Sequence, residues 1–163
     1  MRPIGARALK SAIDTLRPWL DEARVVDLFA GQGRFGIEAL EEAASHVTFI
    51  EKNLSLAKSL AKTVERFGTK ATVKNQDALD YLDSPGDPFD ILFADPPFAL
   101  WTPEFSSKLI ALAAKRSASA AIFLVKHPSR MLPSLAFQGF SHWKSTPFGE
   151  SSLIYFRYVE TAS

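Results

Sequence analysis

Apolar residues along the chain fall into two kinds of run, and their alternation predicts the fold. Leu9, Ala12, Ile13, Leu16 and Leu20 recur at helical spacing and predict a helix over 6–20. Pro18 falls inside that pattern and predicts an end or a bend there. Short β-branched and apolar runs at 25–29, 47–50, 71–73, 89–94 and 120–125 predict buried strands. Between them, helical periods predict helices over 35–44, 54–67 (closed by Gly68) and 103–115, with one helical turn over 78–82. The last apolar segments, 137–143 and 153–159, flank a turn at Gly149 and predict an antiparallel hairpin. This order predicts an α/β fold: a doubly wound, mostly parallel seven-stranded sheet with a C-terminal antiparallel hairpin. Ligands in such sheets lie at the carboxyl ends of the central strands, so the informative loops follow Phe29, Ile50, Lys74 and Ala94.

Composition narrows the chemistry. At 163 residues and 47% hydrophobic, the chain suits one domain, 1–163. It has no Cys, which excludes a disulfide framework, a thiolate metal site and a cysteine nucleophile. His46, His127 and His142 are scattered without paired ligand spacing, so no metal is expected. Ser151-Ser152 has no His/Asp arrangement in view, which argues against a hydrolase triad. No apolar run approaches the ~18 residues that span a bilayer, and the first twenty residues lack a secretory apolar core. A cytoplasmic monomer without membrane contact is the expectation.

The formal charge is +1, which excludes a protein that coats nucleic acid by charge alone. The total hides an asymmetry. Residues 75–107 carry seven acids and no Lys or Arg, whereas 105–149 carry six basic residues, Lys126 among them, and no acid. Basic groups gathered by folding would hold a phosphate backbone beside an acidic cleft; most such runs are only solvated faces.

The first informative loop reads Asp27-Leu-Phe-Ala-Gly31-Gln-Gly33-Arg-Phe-Gly36. It is a Gly-x-Gly-x-x-Gly placed after a strand and before a helix, with Glu51 ending the next strand twenty positions after Gly31. A carboxylate there accepts both hydroxyls of a ribose. NAD and S-adenosyl-L-methionine both use such an acid, so the motif leaves the cofactor open. Adenosylmethionine carries no phosphate but has an amino-acid tail and a sulfonium, for which Asp27 supplies a nearby carboxylate. Asp77, after the third strand, suits an adenine amine or a helix N-cap, and the two roles are compatible.

The second loop is Asp95-Pro96-Pro97-Phe98. Two prolines remove two backbone donors and stiffen the turn. Asp95 and the neighbouring carbonyls are then expected to form a donor-free corner. Acceptors gripping the hydrogens of a nucleobase amine free its delocalised lone pair and stabilise the positive charge that develops on nitrogen during attack. Phe98 is placed to stack on a base taken out of its helix, and Trp101 to line the same pocket. Trp19 and Trp143 are expected to be packing residues.

These residues resemble the RsmD-like ribosomal RNA methyltransferases, class I enzymes that methylate the exocyclic N2 of a guanine in small-subunit ribosomal RNA. The resemblance is carried by 27–40, by Phe49-Ile-Glu-Lys52, by Pro88 through Phe98, by Arg2-Pro3 with Arg7, and by Phe148-Gly149-Glu150. It implies that Asp27, Gly31, Gly33, Glu51 and Asp77 hold S-adenosyl-L-methionine, together with Phe29, Ala30, Lys52 and Ala78. It implies that Asp95, Pro96, Pro97 and Phe98 hold the target base, with Arg2, Arg7 and Trp101 as substrate contacts. The implied partner is ribosomal RNA or the assembling small ribosomal subunit. The helical motif at 1–22 departs from the family: it carries Ile4-Gly5-Ala6 in place of Thr-Thr-Asp and Lys10 in place of an acid, and it is expected to lack the family's upstream hairpin. The competing functions are methylation of another amine (adenine N6 or a protein glutamine), an NAD-dependent oxidoreductase, and a binding module without catalysis.

Overall fold

The computed structural model describes residues 4–128 and 139–159. Helix α1 (Ala6–Leu20) is followed by β1 (Arg24–Leu28), α2 (Arg34–Glu41), β2 (His46–Ile50), α3 (Leu54–Thr63) and β3 (Ala71–Lys74). Then come α4 (Ala78–Asp83), β4 (Phe89–Ala94), α5 (Pro103–Lys115), β5 (Ser117–His127), β6 (Phe140–Phe148) and β7 (Ser151–Tyr158). All seven strands form one sheet in the order β3-β2-β1-β4-β5-β7-β6. β1 to β5 pair in parallel, and β7 runs antiparallel to both β5 and β6. The chain reverses its direction of travel between β1 and β4, which opens a crevice beyond their carboxyl ends.

Strand alternation divides the core in two. Val25, Ile91, Phe93, Ile122 and Leu124 face one side, packed under α1, α2 and α3. Val26, Leu92, Ala94, Phe123 and Val125 face the other, under α4 and α5. Each central strand is therefore buried on both faces, which is why it reads as a continuous apolar run.

Several boundaries differ from expectation for identifiable reasons. α1 continues through Pro18 to Leu20. The backbone bond lost at the proline falls in the last turn, while Leu16 and Leu20 on either side are fully buried. α3 stops at Thr63, and a 3-10 segment (Glu65–Lys70) takes over, with Gly68 at φ 60°. The three-residue step from Val64 to Phe67 suits that tighter winding and brings both side chains to the core. β5 begins at Ser117 because Phe89 pairs with it ahead of a register shift. The residues 137 and 138 expected in the sixth strand lie outside the described residues. That strand extends instead to Phe148 through polar, outward-facing positions, as an edge strand does. Trp19 and Trp143 do pack, at the surface rather than in the interior. They are 37% and 36% exposed, meet edge to face at 5.2 Å, and have the Arg157 guanidinium over both rings. A register shift between His142 and Lys144 brackets Trp143, and such bulges re-aim a side chain.

Candidate active site

The glycine loop closes on its own acids. Asp27, 2% exposed at the end of β1, accepts the Gly36 N–H at 3.0 Å through Oδ2. Glu51, buried just beyond β2, accepts the Gly31 N–H at 2.8 Å through Oε1 and the Asn53 N–H at 2.7 Å through Oε2. The Gly33 N–H donates to the Ala30 carbonyl at 2.7 Å. All three glycine N–H groups of the motif are thus engaged by the protein. A pyrophosphate takes such donors, and these three are not available to it. Asn75 fixes the other side of Glu51 by donating to the carbonyls of Glu51 and Lys52 at 3.0 and 2.8 Å. Sequence reasoning assigned Asn75 no role; its place right after β3, beside the end of β2, was the available signal.

Two cavities open along this crevice, with Phe29 in the wall of both. The larger, about 350 Å³, is lined by Ile50, Glu51, Lys52, Asp77 and Ala78 and faced by Pro97 and Phe105. The smaller, about 200 Å³, is lined by Asp27, Ala30, Gly31, Arg34 and Asp95. Phe29 stands at φ 62°, a left-handed conformation that costs energy in a bulky residue and is held here by the loop around it. Asp77 caps α4, its Oδ2 accepting from Leu79 and Asp80 at 3.1 Å each, while its side chain also borders the larger cavity. The capping and lining roles coexist, as the sequence allowed.

Burial pushes the Asp27 carboxyl well above the usual carboxylate range; the negative charges of Asp95 and Glu51 add to this, and the Gly36 N–H opposes it. Burial also raises Asp95, which is 7% exposed, against the pull of Lys126.

Lys126 corrects the expectation of a donor-free corner. Its Nζ lies 3.4 Å from Asp95 Oδ1 and 5.6 Å from the centre of the Phe98 ring. Ala94 pairs with Val125, so the next residue on each parallel strand, Asp95 and Lys126, come side by side on the smaller cavity's face of the sheet. The sequence showed Lys126 only as one charge in a basic run. The register of β4 against β5 was the signal that could have found it.

Pro96 is buried, Pro97 is partly so, and Phe98 is 48% exposed on a 3-10 turn (Phe98–Leu100). Trp101 is partly buried against Phe105 and His127, at 5.4 and 4.7 Å between ring centres. It flanks the corner without lining either cavity. Arg7 is exposed on the first turn of α1, and Arg2 lies outside the described residues.

The donor set fits S-adenosylmethionine: a carboxylate pair borders the larger cavity, two further acids border the smaller one, and the three glycine N–H groups of the motif are engaged within the protein. A family model described as "Conserved hypothetical protein 95" matches residues 1–157. The Haemophilus influenzae protein named "Ribosomal RNA small subunit methyltransferase D" is 37% identical over 103 residues, 60% of this chain and 53% of that protein. The chain thus spans about half the length of the curated relatives it matches. A solved structure of a candidate methyltransferase of Escherichia coli, yhhF, superposes with a TM-score of 0.86 at 26% identity, covering 98% of this chain and 88% of that one. A candidate methylase of Haemophilus influenzae superposes with a TM-score of 0.81 at 28% identity, covering 97% of this chain and all of the other. With the matched family, the seven-stranded order and the acid-lined glycine loop in agreement, the chain belongs to the RsmD-like family of class I S-adenosylmethionine-dependent methyltransferases.

Proposed function

We propose that this chain methylates the exocyclic N2 of a guanine in small-subunit ribosomal RNA, using S-adenosylmethionine. The observation that carries the reading is the position of Asp95-Pro96-Pro97-Phe98, which starts where β4 ends and puts Asp95 in the wall of the acid-lined crevice. The name of the Haemophilus influenzae relative supports the RNA substrate.

When bound, S-adenosylmethionine supplies an electrophilic methyl group. The chain's residues do the rest. Glu51 faces the ribose hydroxyls with lone pairs left over from its two backbone bonds. Asp77 and Ala78 border the adenine, Phe29 separates the two cavities, and Asp27 takes the amino group of the methionyl end. Gly31, Gly33 and Ala30 let the backbone approach, and Lys52 edges the ribose end. Asp95 and the adjacent carbonyls accept the hydrogens of the target amine, orient its lone pair and take up its proton once the nitrogen becomes acidic. Phe98 stacks on the extruded base, with Trp101 beside it. Arg7 and Arg2 contact RNA phosphates.

A tritiated-methyl transfer assay on small ribosomal subunits, naked RNA and DNA, followed by nucleoside analysis, tests this. The expected product is N2-methylguanosine, absent with Asp95→Ala. Label in N6-methyladenosine or in protein overturns the substrate.

A further inference from the structure

Resting on the methyl-transfer reading above, we propose that Lys126 is a positioning residue of the transfer site: its ammonium holds Asp95 as a two-oxygen acceptor for the adjacent N1–H and N2–H of a guanine.

The pair is built into the fold. Asp95 and Lys126 follow the register partners Ala94 and Val125, and their side chains are only 10% and 11% exposed. An ionised carboxylate only accepts hydrogen bonds, whereas a protonated one also donates. The guanine edge beside its amine offers two donors. The adenine edge offers one donor, N6–H, and one acceptor, N1. An ionised Asp95 therefore suits guanine, and a protonated one suits adenine.

The surroundings work against ionisation. Burial raises Asp95, and Asp27 of β1 brings a second acid to the same cavity. Glu51 beyond β2 couples in turn to Asp27. Arg34 of α2 lines the cavity but is itself exposed, and His127 of β5 packs against Trp101 with the ring planes tilted by 57°. Lys126 is a buried cation in contact with the carboxylate, and it lowers Asp95 both by its charge and by its hydrogen bond. The same ammonium stands over the half-exposed Phe98 ring and keeps it in place for stacking.

The test measures N2-methylguanosine formed on small ribosomal subunits by the full chain, by Lys126→Gln and by Lys126→Arg, from about pH 5.5 to about pH 9. Removing an adjacent opposite charge moves a carboxyl by about 1–3 pH units, so the acid limb for Lys126→Gln is expected to rise by that amount. Its yield therefore falls by a larger factor than the parent's when the pH is lowered from about 8.5 to about 6.5. Lys126→Arg restores the parental profile. Calorimetric affinity for S-adenosylhomocysteine within ~3-fold of the parent shows that the site is folded. A Lys126→Gln profile of parental shape, at parental or uniformly lower rate, overturns the role of Lys126 and leaves methyl transfer standing. Absence of N2-methylguanosine from the parent overturns the methyl-transfer reading and this proposal with it. If Lys126→Gln does not fold, carbon-13 NMR of the parent decides. Asp95 is expected to be ionised at neutral pH, and an Asp95 still protonated there overturns the proposal.

Discussion

Glu51 Oε1 accepts the backbone N–H of Gly31, twenty residues away, at 2.8 Å. One carboxylate therefore shapes the glycine loop and borders the larger cavity. Glu51→Ala is expected to leave the buried Gly31 N–H unsatisfied and lower the unfolding free energy by about 1–3 kcal/mol. Affinity for S-adenosylhomocysteine is expected to fall at least ~10-fold, since a carboxylate–hydroxyl pair is lost. Denaturant unfolding and calorimetry read the two effects separately. Lost stability with unchanged affinity would place the ribose elsewhere.

Asp27 predicts a pH dependence of stability. Its folded-state pKa lies well above 3.8, chiefly through burial. Between those two values the folded protein keeps a proton that the unfolded chain has released, so this group's contribution to stability falls as pH rises through that window. Asp27→Asn has no charge to desolvate and still offers an oxygen to the Gly36 N–H. The variant is expected to melt above the parent near pH 8, with a gap that closes toward pH 4. Each kcal/mol gained is worth about 2–4 °C in a chain of this size. A gap that stays constant across that range contradicts the assignment.

Gly36 carries the third glycine of the motif for a packing reason. A Cβ there would run into the Phe49 ring and approach Val47 Cγ1 at 2.9 Å, and both neighbours are fully buried. Gly36→Ala is expected to cost about 1–3 kcal/mol by overpacking. The loss should appear in thermal melts taken without any ligand. A neutral result would mean that Phe49 repacks freely.

Much of this was legible in the sequence because each central strand is buried on both faces and stands out as an unbroken apolar run. Glu51 and Asp95 could be found because each directly follows such a run, and Asp27 and Asp77 because they lie near the carboxyl ends of β1 and β3, where doubly wound sheets place ligands. What the sequence hid depends on strand register and edge exposure. Lys126 meets Asp95 only because Ala94 pairs with Val125. Lys144 to Phe148 joins β6 only because an edge strand needs burial on one face at most. Pro18 was misleading because two buried leucines hold the last turn of α1 together.

The central claim is that Asp95 receives the amine, and single-turnover methyl transfer by Asp95→Asn tests it most directly. The asparagine keeps one acceptor and turns the other into a donor, so a loss of at least ~100-fold in rate is expected, with affinity for S-adenosylhomocysteine changed less than ~3-fold. Transfer within a few-fold of the parent at that same affinity would contradict the account.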